Sequence, residues 1–144
     1  MKDVFVVRQV EFQDFIHETL QNRKVPHRWI KIGIISEEAK NRIECECGIR
    51  ISEIHIDNSS VIHALAQPHH NLDPDDLLHA VDVINSADDI CLSEKKHKSC
   101  DVIIFRKNIN GEITFLTEVH GKNDFLMIFN AWRLKKARRD PDAT

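Results

Sequence analysis

Hydrophobic residues in the first half of the chain recur mainly at helical spacing. Residues 10–23 have large apolar side chains three or four positions apart, which predicts an amphipathic helix that ends before Pro26. Three further helices are predicted where a polar capping residue precedes apolar residues at the same spacing. The capping residues are Ser36, the run Asn58-Ser59-Ser60, and Asp73. Residues 29–35 and 49–56 are extended segments between the helices.

The second half of the chain has the pattern of strands. Runs rich in β-branched and aromatic residues alternate with short polar turns. The runs are residues 90–93, 102–107, 112–120 and 125–133, and the turns are residues 108–111 and 121–124. This order predicts an α+β fold, in which helices from roughly residues 1–88 pack on a three- to four-stranded antiparallel sheet from roughly residues 89–134. A basic tail, residues 135–144, follows the sheet.

The composition is that of a single packed domain covering residues 1–144. The chain is 42% hydrophobic and 30% charged, so it has enough apolar surface to form a core. Its longest apolar run, residues 125–129, is far shorter than a bilayer requires, and the N-terminal residues do not form a signal sequence. We therefore expect a cytoplasmic protein with no membrane partner and with reduced cysteines.

The net charge of −3 is unevenly distributed along the chain. Residues 102–139 carry eight Lys or Arg residues against three acids, so the predicted sheet and tail are basic and the rest is acidic. A basic sector is suited to phosphates, although a charged C-terminal run is as often a solvated tail.

The two turns assign side chains to the faces of the predicted sheet, because opposed residues of an antiparallel pair share a face. A turn at residues 121–124 places His120 opposite Phe125, Glu118 opposite Met127 and Glu112 opposite Arg133. A first turn of two or four residues places Lys107 opposite Thr114. The expected polar face therefore carries Lys107, Glu112, Thr114, Glu118, His120 and Arg133, together with Phe125, Met127 and Phe129. The register places Asn130 on the opposite, apolar face, where it is structural unless the last strand has a bulge.

The polar face has the groups that a metal-independent ribonuclease requires. Cleavage needs a base for the ribose 2′-hydroxyl, an acid for the leaving 5′-oxygen and cations near the phosphate. An imidazole titrates near neutrality, so His120 can exchange a proton, and Glu118 could be the base. The candidate phosphate ligands are Lys107, Lys122 and Arg133, and the candidate base-stacking residues are Phe125 and Phe129. The alternative is an ordinary solvated face with alternating charges.

Five histidines lie within residues 55–79. Most histidines of this kind bond to a backbone carbonyl or to water. His69 lies in a predicted loop, where side chains are presented to ligands. His69 and the adjacent His70 are therefore the likelier exceptions, and either His69 or His63 is expected to close the site.

Three segments carry a family resemblance. They are residues 60–77 (SVIHALAQPHHNLDPDDL), 81–90 (VDVINSADDI) and 124–133 (DFLMIFNAWR). Their order resembles that of the phage-associated barnase/EndoU/colicin/RelE-like nuclease families. The resemblance implies helices on one side of a curved antiparallel sheet and RNA, often tRNA, on the other. It also implies that His69 is the family-type histidine, that Asn130 stands at a polar site position and that Arg133 is the terminal cation.

Three functions follow from these features. The first is a metal-independent endoribonuclease or RNase-like toxin without a cofactor, which would bind RNA and an antitoxin or immunity protein. The second is a catalytically inactive RNA- or partner-binding module of the same fold. The third is a zinc-dependent domain, with ligands from Cys45, Cys47, Cys91, Cys100 and His97, although these spacings do not match common zinc fingers. The oligomeric state stays open.

Overall fold

The structure is a computed structural model that describes residues 2–22, 24 and 26–134, with side chains from residue 9 onward. The predicted basic tail, residues 135–144, lies outside the described residues. Within the described part of the chain, no helix is both long and apolar enough to cross a membrane.

The described residues form five α-helices. They are α1 (Lys2–Gln21), α2 (Glu37–Cys47), α3 (Asn58–Ala66), α4 (Pro74–Leu77) and α5 (Ala80–Ser86). Two predicted caps are confirmed, because the Ser36 side chain accepts a hydrogen bond from the first turn of α2, and Asp73 forms a reciprocal capping box with Asp76. The cap of α3 is Asp57 rather than Asn58. Local polar chemistry therefore determines where these three helices begin.

Two helix predictions were wrong in extent. The first helix begins at Lys2 rather than at residue 10, and the helix predicted after Asp73 is divided into α4 and α5. Leu78 and His79, which link the two parts, keep right-handed helical backbone angles. The apolar period therefore continues through the break, and the sequence pattern shows one helix where there are two.

In the part of the chain that the structure describes, six strands form one mixed sheet. They are β1 (Trp29–Ile34), β2 (Glu53–Asp57), β3 (Asp89–Leu92), β4 (Val102–Asn108), β5 (Glu112–His120) and β6 (Phe125–Arg133). The strand order is β1-β2-β6-β5-β4-β3, with β2 and β6 parallel and the other neighbours antiparallel. The α+β class is confirmed, but the prediction of three or four antiparallel strands was wrong. The two extended segments between the helices join the sheet through a long-range pairing of β2 with β6, which no local pattern indicates.

The core lies on one face of this sheet, which we call the core face. Ile54, Ile56, Leu126 and Ile128 share it with Phe105 and Phe115, and all six are fully buried or nearly so. Helices α1, α2, α3 and α5 add apolar side chains to the same cluster. The opposite face, which carries Glu118, His120, Phe125 and Met127, is called the site face.

The predicted register is confirmed in the first part of the hairpin between β5 and β6. His120 pairs with Phe125 and Glu118 pairs with Met127. A β-bulge follows, because Thr117 pairs with Ile128 and Leu116 pairs with Asn130, which leaves Phe129 as an extra residue. The two faces of β6 are exchanged beyond the bulge. Asn130 therefore lies on the site face, and the expected placement on the apolar face was wrong.

Arg133 and Lys107 were also assigned to the wrong face. Beyond the bulge, Arg133 pairs with Ile113 rather than with Glu112. Lys107 pairs with Ile113 rather than with Thr114, because Asn108 and Glu112 close a loop of three residues rather than two or four. An odd loop length reverses which residues share a face. Both cations consequently lie on the core face at its edge.

Gly33 of β1 allows a close helix approach. A Cβ atom added to Gly33 would lie 2.8 Å from a methyl carbon of Val81 in α5. Since Val81 is β-branched and held in the core, Gly33→Ala is expected to destabilise the fold by about 1–3 kcal/mol. Urea unfolding measures this effect. Gly121→Ala is the matched control, because nothing lies within 4 Å of its added Cβ; equal stability of the two variants would contradict the assignment.

Candidate functional site

A cleft of about 520 Å³ lies on the site face. One wall is the beginning of α3, the second is the turn after β3, and the floor is formed by β5 and β6. The polar residues that line it include Ser60, His63, His97, Lys98, Glu118 and Asn130. Three of the predicted catalytic residues, Glu118, His63 and Asn130, are therefore brought to one cleft.

The carboxylate of Glu118 is the most enclosed acid of the cleft. The residue is only 7% exposed. One oxygen accepts a hydrogen bond from the His120 Nε2 at 3.0 Å, and the other accepts one from the His97 Nδ1. A carboxylate can only accept, so each ring must carry a proton on the nitrogen that faces it. Two imidazoles therefore fix both oxygens of a buried carboxylate.

Backbone geometry explains how these rings meet. Glu118 and His120 are two residues apart on β5, so both side chains project to the site face. His97 comes from a tight turn, in which His97 and Cys100 exchange two backbone hydrogen bonds of 3.0 and 2.9 Å. The two residues between them, Lys98 and Ser99, have positive φ angles, as in a two-residue type I′ turn. The turn presents Lys98 to the cleft.

Aromatic rings cross the site face from strand to strand. Trp29, His55, Phe125 and His120 stack in this order, with ring centroids 4.8, 4.1 and 4.6 Å apart. His97 stacks separately on Phe129, the extra residue of the bulge, at 3.9 Å. Both faces of Phe125 are therefore covered and one face of Phe129 is covered. Phe125 is not available to stack a nucleobase, contrary to the expectation from the sequence.

A second glutamate–histidine pair lies beyond Phe125. His55 donates from Nε2 to Glu53 at 3.0 Å, which is the same distance and sequence spacing as in the pair of His120 and Glu118. The hydrogen bonds from His55 and then from Lys31 lower the pKa of Glu53. This pair is held by Lys31 and does not line the cleft. It offers an internal control for the chemistry of Glu118.

Histidines at the end of α3 form a cluster of their own. The ring of His70 makes edge contacts with the rings of His63 and His69, and it lies 6.2 Å from the ring of Trp132. His70 is buried, and this burial lowers its pKa, although its bond to the Ala64 carbonyl acts in the opposite direction. His63 lines the cleft, whereas His69 does not. The expectation that His69 closes the site does not agree with this placement.

The three predicted phosphate cations are not brought to the cleft. Arg133 donates to Asp76 at 2.6 Å and to the backbone carbonyls of residues 109–111. Lys107 donates to the Ser86 carbonyl at 2.9 Å. Lys122 is exposed in a short turn after His120. The cation that lines the cleft is Lys98.

Sequence reasoning missed His97 and Lys98 as site residues. His97 was considered only as a zinc ligand, and Lys98 belongs to a run of lysines that resembles a solvated loop. The available signal was the segment from His97 to Cys100, which has the length of a hairpin turn between two strands. Such a turn projects its first and last residues to the same side.

The proposed set of four cysteines and His97 is not assembled into one site among the described residues. Cys45 is exposed on α2, whereas Cys47 interacts with Cys91. Burial, with the nearby Cys91 and Glu46, raises the pKa of the Cys47 thiol to about 11. Cys100 lies apart from them, close to Glu118 and His120.

One comparison with known proteins identifies a relationship. A family model described as phage-Barnase-EndoU-ColicinE5/D-RelE like nuclease3 matches residues 31–140, which is more than half of the chain. The matched region contains every element that lines the cleft. Neither a curated protein nor a solved structure gives a significant match.

Proposed function

Because the chain belongs to the phage-Barnase-EndoU-ColicinE5/D-RelE like nuclease family, we propose that it is an endoribonuclease whose active site is the cleft around Glu118. A family of nucleases implies a nucleic acid substrate and phosphodiester cleavage. The proposal narrows this substrate to RNA, with tRNA as the first candidate. The observation that supports it best is the buried carboxylate of Glu118, held between two imidazoles on the floor of the cleft.

We assign the role of general base to Glu118. It takes the proton of the ribose 2′-hydroxyl, the 2′-oxygen then bonds to phosphorus, and the bond from phosphorus to the 5′-oxygen breaks. Its two hydrogen bonds fix the direction of the remaining lone pairs, so less reorganisation is needed at the moment of reaction. His120 is hydrogen-bonded to Glu118 but does not line the cleft, so it is a positioning residue in this scheme.

His63 is the best placed general acid. In-line displacement puts the entering and leaving oxygens on opposite sides of phosphorus, so the acid and the base must come from opposite sides. Glu118 lies on the floor strand β5, whereas His63 projects from the α3 wall, so the two residues line different sides of the cleft. His63 gives its proton to the departing 5′-oxygen, which balances the proton that Glu118 takes.

Two further residues can stabilise the charge that develops on the phosphate. Lys98 supplies the positive charge that Arg133 and Lys107 do not bring to the cleft, and the amide of Asn130 can donate a hydrogen bond. The β-bulge at Phe129 is what turns Asn130 to the site face. This supports a site role for Asn130.

The proposal makes a direct prediction for purified protein. Incubation with tRNA or single-stranded RNA in EDTA should give cleavage, because no step requires a metal ion. The products should end in a 2′,3′-cyclic phosphate, and a 2′-deoxy substitution at the cleaved position should block the reaction. Tight, salt-sensitive RNA binding without cleavage would instead select the inactive binding module. Cleavage that disappears in EDTA would exclude the metal-independent mechanism.

The cellular setting is also part of the proposal. A ribonuclease of this kind in the cytoplasm would act as a toxin and would require an antitoxin or immunity protein. A protein inhibitor that covers the cleft would have to reach the α3 wall and the turn at Lys98. Protection of this turn from proteolysis in a complex would support such a partner.

A further inference from the structure

The surroundings of Glu118 contain the ligands of a metal site. The sulfur of Cys100, a carboxylate oxygen of Glu118 and a ring nitrogen of His120 all lie within 4.8 Å of one another. Within the described ranges, this is the one place where three histidine, cysteine or acidic side chains come so close together. It combines one residue of the turn with two residues of β5.

We propose that Cys100, Glu118 and His120 bind a Zn²⁺ ion and that zinc switches off cleavage at this cleft. The binding part stands on the geometry alone, whereas the inhibitory part rests on the proposed ribonuclease function.

The donor set selects the class of metal. A thiolate, an imidazole and a carboxylate are the ligands that Zn²⁺ takes, whereas Mg²⁺ and Ca²⁺ are held by oxygen. Zinc bonds of about 2.0–2.3 Å in a tetrahedron place ligand atoms roughly 3.5 Å apart. Ligand atoms up to 4.8 Å apart therefore have to approach by about 1 Å, which side-chain rotation can supply. Zinc displaces the thiol proton of Cys100 to solvent, and it binds His120 through an unprotonated ring nitrogen. Three protein ligands leave the fourth position for water.

The turn at residues 97–100 prepares this site. Its paired backbone hydrogen bonds hold Cys100 beside β5, and the same turn brings His97 to the second oxygen of Glu118. A hydrogen bond of this kind orients a metal-binding carboxylate from outside the ligand sphere. His97 is therefore a positioning residue for zinc as well as for catalysis.

Zinc and substrate compete for the same carboxylate. When Glu118 binds zinc, it shares with the metal the lone pair that it would use as a general base. It therefore cannot accept the proton of a 2′-hydroxyl. Cys100 has no part in the cleavage steps and does not line the cleft. Removal of its sulfur should therefore weaken the metal site and leave the reaction intact.

Cobalt binding by the full-length protein tests the site without reference to activity. Co²⁺ alone should bind at one equivalent per chain and give a thiolate-to-cobalt absorption band. Cys100→Ser should abolish this band, and the matched variant Cys91→Ser should retain it. Absence of cobalt binding, or a thiolate band that persists in Cys100→Ser, would overturn the metal site.

Cleavage assays test the inhibition separately. Zn²⁺ should inhibit the wild-type protein, and EDTA should reverse the inhibition. Cys100→Ser should cleave at the wild-type rate in EDTA and require at least about tenfold more zinc for half inhibition. Zinc that leaves the wild-type rate unchanged or raises it would overturn the switch. Cobalt binding by a protein that cleaves no RNA would support the metal site and reject only the ribonuclease proposal.

Discussion

Glu118→Gln is expected to lower RNA cleavage by about 10²-fold or more without loss of the fold. The substitution keeps the size and shape of the side chain but removes the ability to take a proton. A positioned general base contributes about 10²–10⁴-fold to such reactions. Among the described residues that line the cleft, the other carboxylate is Asp57 on the α3 wall, and it is already bonded to His27 and to the Ser60 backbone N–H. Initial rates with one RNA substrate in EDTA measure the loss.

The chain contains its own control for this experiment. Glu53→Gln alters the other glutamate–histidine pair, which has the same spacing on its strand and the same hydrogen bond of 3.0 Å. Glu53 does not line the cleft, so its variant should cleave at close to the wild-type rate. Equal losses in the two variants would indicate a general electrostatic or stability effect. Full activity of Glu118→Gln would remove Glu118 as the base.

Substitution of His120 shows whether this residue positions Glu118 or acts as the general acid. His120→Gln can still donate a hydrogen bond to Glu118, so a positioning residue should lose little activity and the pH profile should keep its shape. A general acid at His120 would instead lose the titrating limb of this profile. His63→Gln should remove that limb if His63 is the acid.

Sequence reasoning succeeded where local geometry decides the outcome. The caps at Ser36 and Asp73 and the pairings of His120 and Glu118 all depend on residues close together in the chain. The assignment of faces failed at the bulge of Phe129 and at the three-residue loop after Asn108. The bulge adds one residue to β6, and the loop differs by one residue from either predicted length. A change of one residue is enough to exchange the faces of everything beyond it.

The remaining errors concern contacts between distant segments. The addition of β1 and β2 to the sheet depends on pairing with β6, about seventy residues further along the chain. His97, in the connection between β3 and β4, reaches Glu118 on β5, and Arg133 reaches Asp76 in α4. Neither the charge nor the spacing of these residues indicates the partner. The kinds of residue in the site were therefore predicted from the sequence. The positions and partners of residues that meet only through tertiary contacts were not.

Arg133→Met should destabilise the fold by about 3 kcal/mol and leave the cleavage rate of the folded protein nearly unchanged. The Arg133 and Asp76 side chains are 15% and 11% exposed, so the substitution leaves a carboxylate enclosed without its partner. It also removes the hydrogen bonds that hold the turn between β4 and β5. Urea unfolding gives the free energy of unfolding. Cleavage assays in the absence of urea, where the variant is folded, give the cleavage rate.

The control Lys122→Met removes an exposed cation and should leave stability unchanged. The double variant Asp76→Asn with Arg133→Met should be more stable than Arg133→Met alone, because no unpaired carboxylate remains. If Arg133→Met lost cleavage activity a hundredfold while its stability stayed unchanged, the structural role would be contradicted. Arg133 would then be a phosphate ligand, as expected from the sequence.

The pH dependence of unfolding identifies the ion pair as the cause. Burial acts to raise the pKa of Asp76, but the hydrogen bonds from Arg133 and from the Asp73 backbone outweigh it, so that the pKa is lowered. A lowered native pKa means that the stabilisation is complete above the ordinary carboxyl pKa of about 3.9 and is lost as pH falls through the native value. Arg133→Met keeps the hydrogen bond from the Asp73 backbone but lacks the part of this stabilisation that Arg133 supplies, at every pH. The difference in unfolding free energy between wild type and Arg133→Met should therefore narrow in acid. A difference that stays constant with pH would show that the lost stability comes from the hydrogen bonds of Arg133 to the carbonyls of residues 109–111.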